Sequence, residues 1–145
     1  MNKKEKILFS YTTHYKEGMP SQKPYLPEPL LINISANEAQ TIIVTAGCYL
    51  LSFKDSYINV DIWKDDVMVS QDSDTLDGYQ ELISNDSMGG GAFVIVTAMH
   101  VQNIIFSSSG EYEIRIRLVE VNSNGEKRQA DSFSCFLTVV VSKED

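Results

Sequence analysis

The sequence predicts an all-β protein, an antiparallel β-sandwich of about 7 to 10 strands. Three features carry that expectation. Apolar and polar residues alternate with period two in the clearest segments, β-branched and aromatic residues gather between turn signals, and helical periodicity explains neither of the two best-patterned stretches. The chain has 145 residues, the size of one ordinary domain, so a single domain over 1–145 is expected. At that length roughly two-thirds of the unfolded surface can be buried without a metal or disulfide.

The strands are expected, in order, near 5–13, 30–35, 41–45, 48–53, 57–64, 67–71, 92–98, 101–106, 111–120 and 132–141. In Glu111 to Leu118 the apolar face is Tyr112, Ile114, Ile116 and Leu118, and the polar face is Glu111, Glu113, Arg115 and Arg117. In Tyr57 to Lys64, Ile58, Val60 and Ile62 share one face and Asn59, Asp61 and Trp63 the other. Ala46-Gly47, Lys54-Asp55-Ser56 and Lys64-Asp65-Asp66 read as tight connections, and Asn122-Ser123-Asn124-Gly125 as the strongest turn. Thr75 to Ser84 is the only short helix the pattern allows, against the cost of Gly78. All four prolines lie between Pro20 and Pro29. Lacking donors, they predict an extended crossing from one sheet to the other.

The stretch Ser107-Ser108-Ser109-Gly110-Glu111-Tyr112, leading into an alternating strand, resembles the tyrosine corner of immunoglobulin-like and related sandwiches. The resemblance implies that the Tyr112 ring enters the core, that its hydroxyl bonds to upstream backbone, and that 132–141 pairs with 111–120. It covers the carboxyl end alone. Ile114 stands where an immunoglobulin domain has its second cysteine, and Trp63 lies opposite the apolar face, so an antibody-type domain is not implied. A jelly roll or C2-like sandwich fits the same pattern, and such folds carry many functions.

Hydrophobic residues at 43% and charged residues at 22% are those of a globular chain, which excludes disorder and collagen. No apolar run nears the roughly 18 residues of a membrane helix. Ile7 to Phe9 is too short for the roughly 7 to 15 residues of a signal-peptide core, so a cytoplasmic protein beginning at Met1 is expected. Cys48 and Cys135 stand among apolar neighbours and read as core thiols, in line with that compartment.

Charge is the most informative functional feature. Nine acids lie between 54 and 86: Asp55, Asp61, Asp65, Asp66, Asp72, Asp74, Asp77, Glu81 and Asp86. Against Lys54 and Lys64 they carry seven of the eight excess negative charges. Aspartate favours turns and solvated faces, which accounts for many of them. The same band is a candidate surface for a basic protein partner, and it disfavours nucleic acid and anionic membranes. Trp63, on the polar face, is the candidate hot spot beside Asp61, Asp65, Asp66, Asp72, Asp74 and Asp77.

Other chemistry finds little footing. Asp72 to Gly78 has Leu76 fifth and glycine seventh, so it fails as a calcium loop, and no metal or cofactor is expected. Ser87-Met88-Gly89-Gly90-Gly91 lacks the Gly-Lys-Ser/Thr ending of a phosphate loop and reads as a flexible loop. Pro24-Tyr25-Leu26-Pro27 is a proline-recognition string without a flanking arginine. His14 and His100 have no nucleophile or acid at a telling spacing, although Cys48 with His100 stays open as a pair assembled in space. The expectation is a non-enzymatic protein-binding module. A carbohydrate binder using Trp63, Tyr57 and Tyr79, or a structural subunit of a phage or secretion assembly, are its rivals.

Overall fold

The computed structural model describes residues 4–19, 24–51, 55–70 and 80–142. Within them nine strands form two sheets, and there is no helix. They are β1 (Lys6–His14), β2 (Leu30–Ile34), β3 (Gln40–Leu51), β4 (Asp55–Lys64), β5 (Val67–Met68), β6 (Gln80–Gly89), β7 (Ala92–Ile104), β8 (Gly110–Val121) and β9 (Lys127–Val141). The four-stranded sheet has the order β1-β3-β7-β6, and the five-stranded sheet β2-β9-β8-β4-β5. Every pairing is antiparallel except β2 with β9. This is the expected all-β sandwich.

The alternation read from the sequence decides what is buried. Tyr112, Ile114, Ile116 and Leu118 of β8 and Val60 and Ile62 of β4 meet Ile42, Val44, Ala46 and Cys48 of β3 in one core. Tyr112 is buried against Phe106, edge to face at 4.9 Å between centroids, and its hydroxyl donates to the Ser108 carbonyl at 2.7 Å. Buried Glu5 bridges the two sheets. It accepts from the Leu51 amide on β3 at 2.9 Å and from the Ser56 hydroxyl on β4 at 2.6 Å.

Several expectations need correction. The segments 41–45 and 48–53 do not break at Ala46-Gly47, because β3 runs through from Gln40 to Leu51. Gly47 makes no turn. A Cβ there would lie 2.2 Å from the Phe9 ring, so the missing side chain is the seat of an aromatic on β1. Likewise β7 is one strand, in which the polar pair Gln102-Asn103 forms a bulge, with Asn103 at φ 61°. The helix considered for 75–84 is overturned from Gln80 onward, since that part is β6; residues 71–79 lie outside the described residues. The glycine run is not a loose loop. Gly89 pairs with Ala92, and Gly90 and Gly91 at φ 63° and 81° close a two-residue hairpin of the kind that needs two positive φ values. Asp65 and Asp66, at φ 51° and 65°, do the same between β4 and β5.

The proline segment does connect the sheets, from β1 to β2, and it also covers. Its carbonyls at Tyr25, Leu26 and Glu28 accept from Tyr11, Thr13 and Thr12, which caps the edge of β1. Tyr25 and Met19 pack over Ile43 and Ala98 on the outer face of the four-stranded sheet, forming a second small cluster. Two of the remaining edges are short, at five residues in β2 and two in β5. The longer edge strand β6 is interrupted by bulges at Leu82/Ser84 and Ser87/Gly89.

Candidate functional site

Among the described residues, one broad face is roofed by Tyr25 and Met19, and no strand packs on the other. Among the described residues nothing covers the outer face of β4, β8 and β9, so its side chains set what the protein can bind. Antiparallel pairing puts them in rows. Asn59 lies beside Arg117 and then Ser132, Asp61 beside Arg115 and Ser134, and Trp63 beside Glu113 and Phe136. Met68 of β5 extends the last row on the far side of Trp63. Four strands therefore contribute Phe136, Glu113, Trp63 and Met68 to one line. With strands about 4.8 Å apart that line spans roughly 14 Å.

Arg115 and Trp63 are the centre of this face. The guanidinium lies over the indole, 4.3 Å from the ring centroid, and is held by Glu113 at 2.9 Å and Asp66 at 3.8 Å. The Ser134 hydroxyl, donating at 2.7 Å, and then Arg115 keep the Glu113 carboxyl below the usual glutamate range. Asp61 is buried with its carboxylate against Arg117 at 3.1 Å. Its other oxygen, the Trp63 indole nitrogen and the Arg117 Nε are buried without a partner among the described residues. These groups border a shallow depression of about 420 Å³ that also takes in Gln129 and Phe133. Phe136 beside it is 53% exposed.

The acidic band of the sequence does not map to one surface. Asp55 and Asp65 stand at opposite ends of β4, roughly 33 Å apart at the usual strand rise. Asp86 and Glu81 lie on β6, in the other sheet. Asp61 lies on the outer face of the five-stranded sheet but is buried against Arg117, and Asp65 and Asp66 occupy turn positions that aspartate tolerates, with side chains 87% and 98% exposed. Asp72, Asp74 and Asp77 lie outside the described residues, as does Tyr79. Of the expected site residues, then, the described fold gathers Asp61, Trp63, Asp65 and Asp66 near one end of β4. Sequence reading missed Phe136 and Arg115, because neither the pairing of β8 with β9 nor the ring under the guanidinium is visible in one strand.

Other candidates are set apart. Cys48 faces the core, while His100 pairs with Ile43 on the outer face under Tyr25, so the two cannot meet. Burial, with Asp131 and Glu5 nearby, pushes the Cys48 thiol up to about 11. Tyr57 shares the outer face with Trp63 but stands about 20 Å along the strand, under Lys127, so the two form no joint platform. Among the described residues no three His, Cys, Asp or Glu side chains converge as a metal-binding group, and no helix is long and apolar enough to cross a membrane. No protein-family model matches the chain, and no curated protein matches it either.

Proposed function

We propose that this chain is a non-enzymatic immunoglobulin-like sandwich of the cytoplasm that binds another protein through the outer face of its five-stranded sheet. The immunoglobulin-like reading is supported by strand order. The sheets β1-β3-β7-β6 and β9-β8-β4-β5 follow the A-B-E-D and G-F-C-C′ succession of that architecture, with the tyrosine corner at the start of the F-like β8. Ile114 stands where that architecture has its second disulfide cysteine, and like Cys48 it is buried in the core.

One observation carries the binding role: the line Phe136, Glu113, Trp63 and Met68 on a sheet face that nothing covers among the described residues. Aromatics and arginine are the residues enriched at protein interfaces, and here they adjoin exposed acids at the Asp65-Asp66 turn. A partner basic where it meets that turn fits the face. The test is crosslinking mass spectrometry in the native cell. Crosslinks from Lys127 to a second polypeptide are expected, and Trp63→Glu should remove them. Crosslinks that persist in the variant, or map only to other surfaces, count against the proposal.

A further inference from the structure

The outward side chains of β8 are polarised along the strand: Glu111 and Glu113 at one end, Arg115 and Arg117 at the other. The neighbouring strands extend the pattern. The Asp65-Asp66 turn lies beyond the acidic end, and Lys127, over the Tyr57 ring, lies toward the basic end. Such a face is complementary to itself under one operation. A two-fold axis lying across the strands, between Glu113 and Arg115, reverses strand direction while keeping β8 over β8. Glu113 then meets Arg115 of the second copy, and Glu111 meets its Arg117. An axis along the strands instead stacks like charge on like.

We propose that the outer face of the five-stranded sheet docks a second copy of this chain in that antiparallel arrangement. The inference rests on reading this face as a protein-binding surface, and it names the partner: the basic surface that the acidic end calls for is the other end of the same sheet. Phe136 comes over Ser134 of the second copy, which takes its exposed ring out of water. The intrachain Glu113–Arg115 pair is partly exposed, and pairs of that kind are weak enough to exchange for an intermolecular one. Five strands about 4.8 Å apart, from a two-residue β5 to a fifteen-residue β9 and averaging roughly 30 Å, offer roughly 700 Å² per copy, somewhat less than the about 800 Å² of a standard interface. The dimer is accordingly modest in affinity and salt-sensitive.

Sedimentation velocity over a wide concentration range tests this. The wild type is expected to show a concentration-dependent dimer that weakens with salt. Glu113→Arg and Arg115→Glu should each be monomeric, and an equimolar mixture of the two should recover the dimer, since both cross-pairs become opposite in sign. Phe136→Ala, which changes no charge, should weaken the dimer, and circular dichroism checks that each variant is folded. A wild type that is monomeric throughout, or folded charge variants whose mixture stays monomeric, would overturn the inference. If a wild-type monomer still crosslinks to another protein through this face, only the self-association falls; if the face makes no contact at all, the proposed function falls with it.

Discussion

Arg115 covers Trp63, its guanidinium 4.3 Å from the indole centroid. Trp63 is the only tryptophan in the chain, so this contact can be watched directly by fluorescence. Arg115→Ala should move the emission to longer wavelength and make it more accessible to acrylamide. The lost cation–π contact is worth about 0.5–1 kcal/mol at such an exposed site. An emission spectrum identical to wild type would show that the indole is shielded by something else.

The corner bond from Tyr112 to Ser108 should contribute about 1 kcal/mol, the usual net value of an intramolecular hydrogen bond. Tyr112→Phe keeps the ring against Phe106 and removes only the hydroxyl. A lowered urea midpoint with an unchanged slope is the expected result.

Glu113 gives the stability a pH dependence of known sign. Its folded-state value is lowered from 4.5, first by the Ser134 bond and then by Arg115. The stabilisation is therefore complete above the unfolded value and is lost as pH falls through the lowered folded one. Glu113→Gln should be less stable than wild type near neutrality and equal to it in acid. Urea midpoints for the two proteins at both pH values check this, and parallel curves at every pH would refute it.

Both thiols should be slow toward reagents in the native state. Burial first, then Asp131 and Glu5, raise Cys48 to about 11, and burial raises Cys135 as well. Thiolate is the reactive form, so little is available at pH 8. Ellman's reagent should titrate two thiols promptly in guanidinium and neither promptly without it.

Gly47→Ala places a methyl where the Phe9 ring sits. The ring must swing out, and the expected cost is about 1 kcal/mol, near the low end for overpacking, because a strand glycine is itself unfavourable. Pairing it with Phe9→Ala should abolish most of that cost. Additive losses in the double mutant would remove the ring as the cause.

Much of this fold could be read from period-two alternation, because the strands that bury one face carry the pattern plainly. Residues 111–118 and 57–64 show this: the residues assigned to the core are in it, and those assigned to the polar face line the bare side. The failures have a common physical origin. β3 is covered on both faces, so its burial is continuous and a glycine inside it imitates a turn. β6 is an edge strand exposed along most of its length, and its apolar residues Leu82, Ile83 and Met88 do not alternate, so neither face has an apolar code to read. The acidic band looked like a surface because it is contiguous in sequence, yet β4 and β6 belong to different sheets. The site was half legible: Trp63 stood out alone, while Arg115 and Phe136 needed the register of three strands.

The two interruptions in β6 also govern what this protein does when concentrated. An open strand edge is a template on which any extended chain can grow. Here an incoming strand would have to carry its own irregularities at Leu82/Ser84 and Ser87/Gly89, in phase with these, before its amides found partners. The ladder is in effect written with two deliberate misprints, and copying it is harder than reading it. Crowding should therefore drive copies together by their faces and leave the sheets at four and five strands, a finite pairing in place of a fibre.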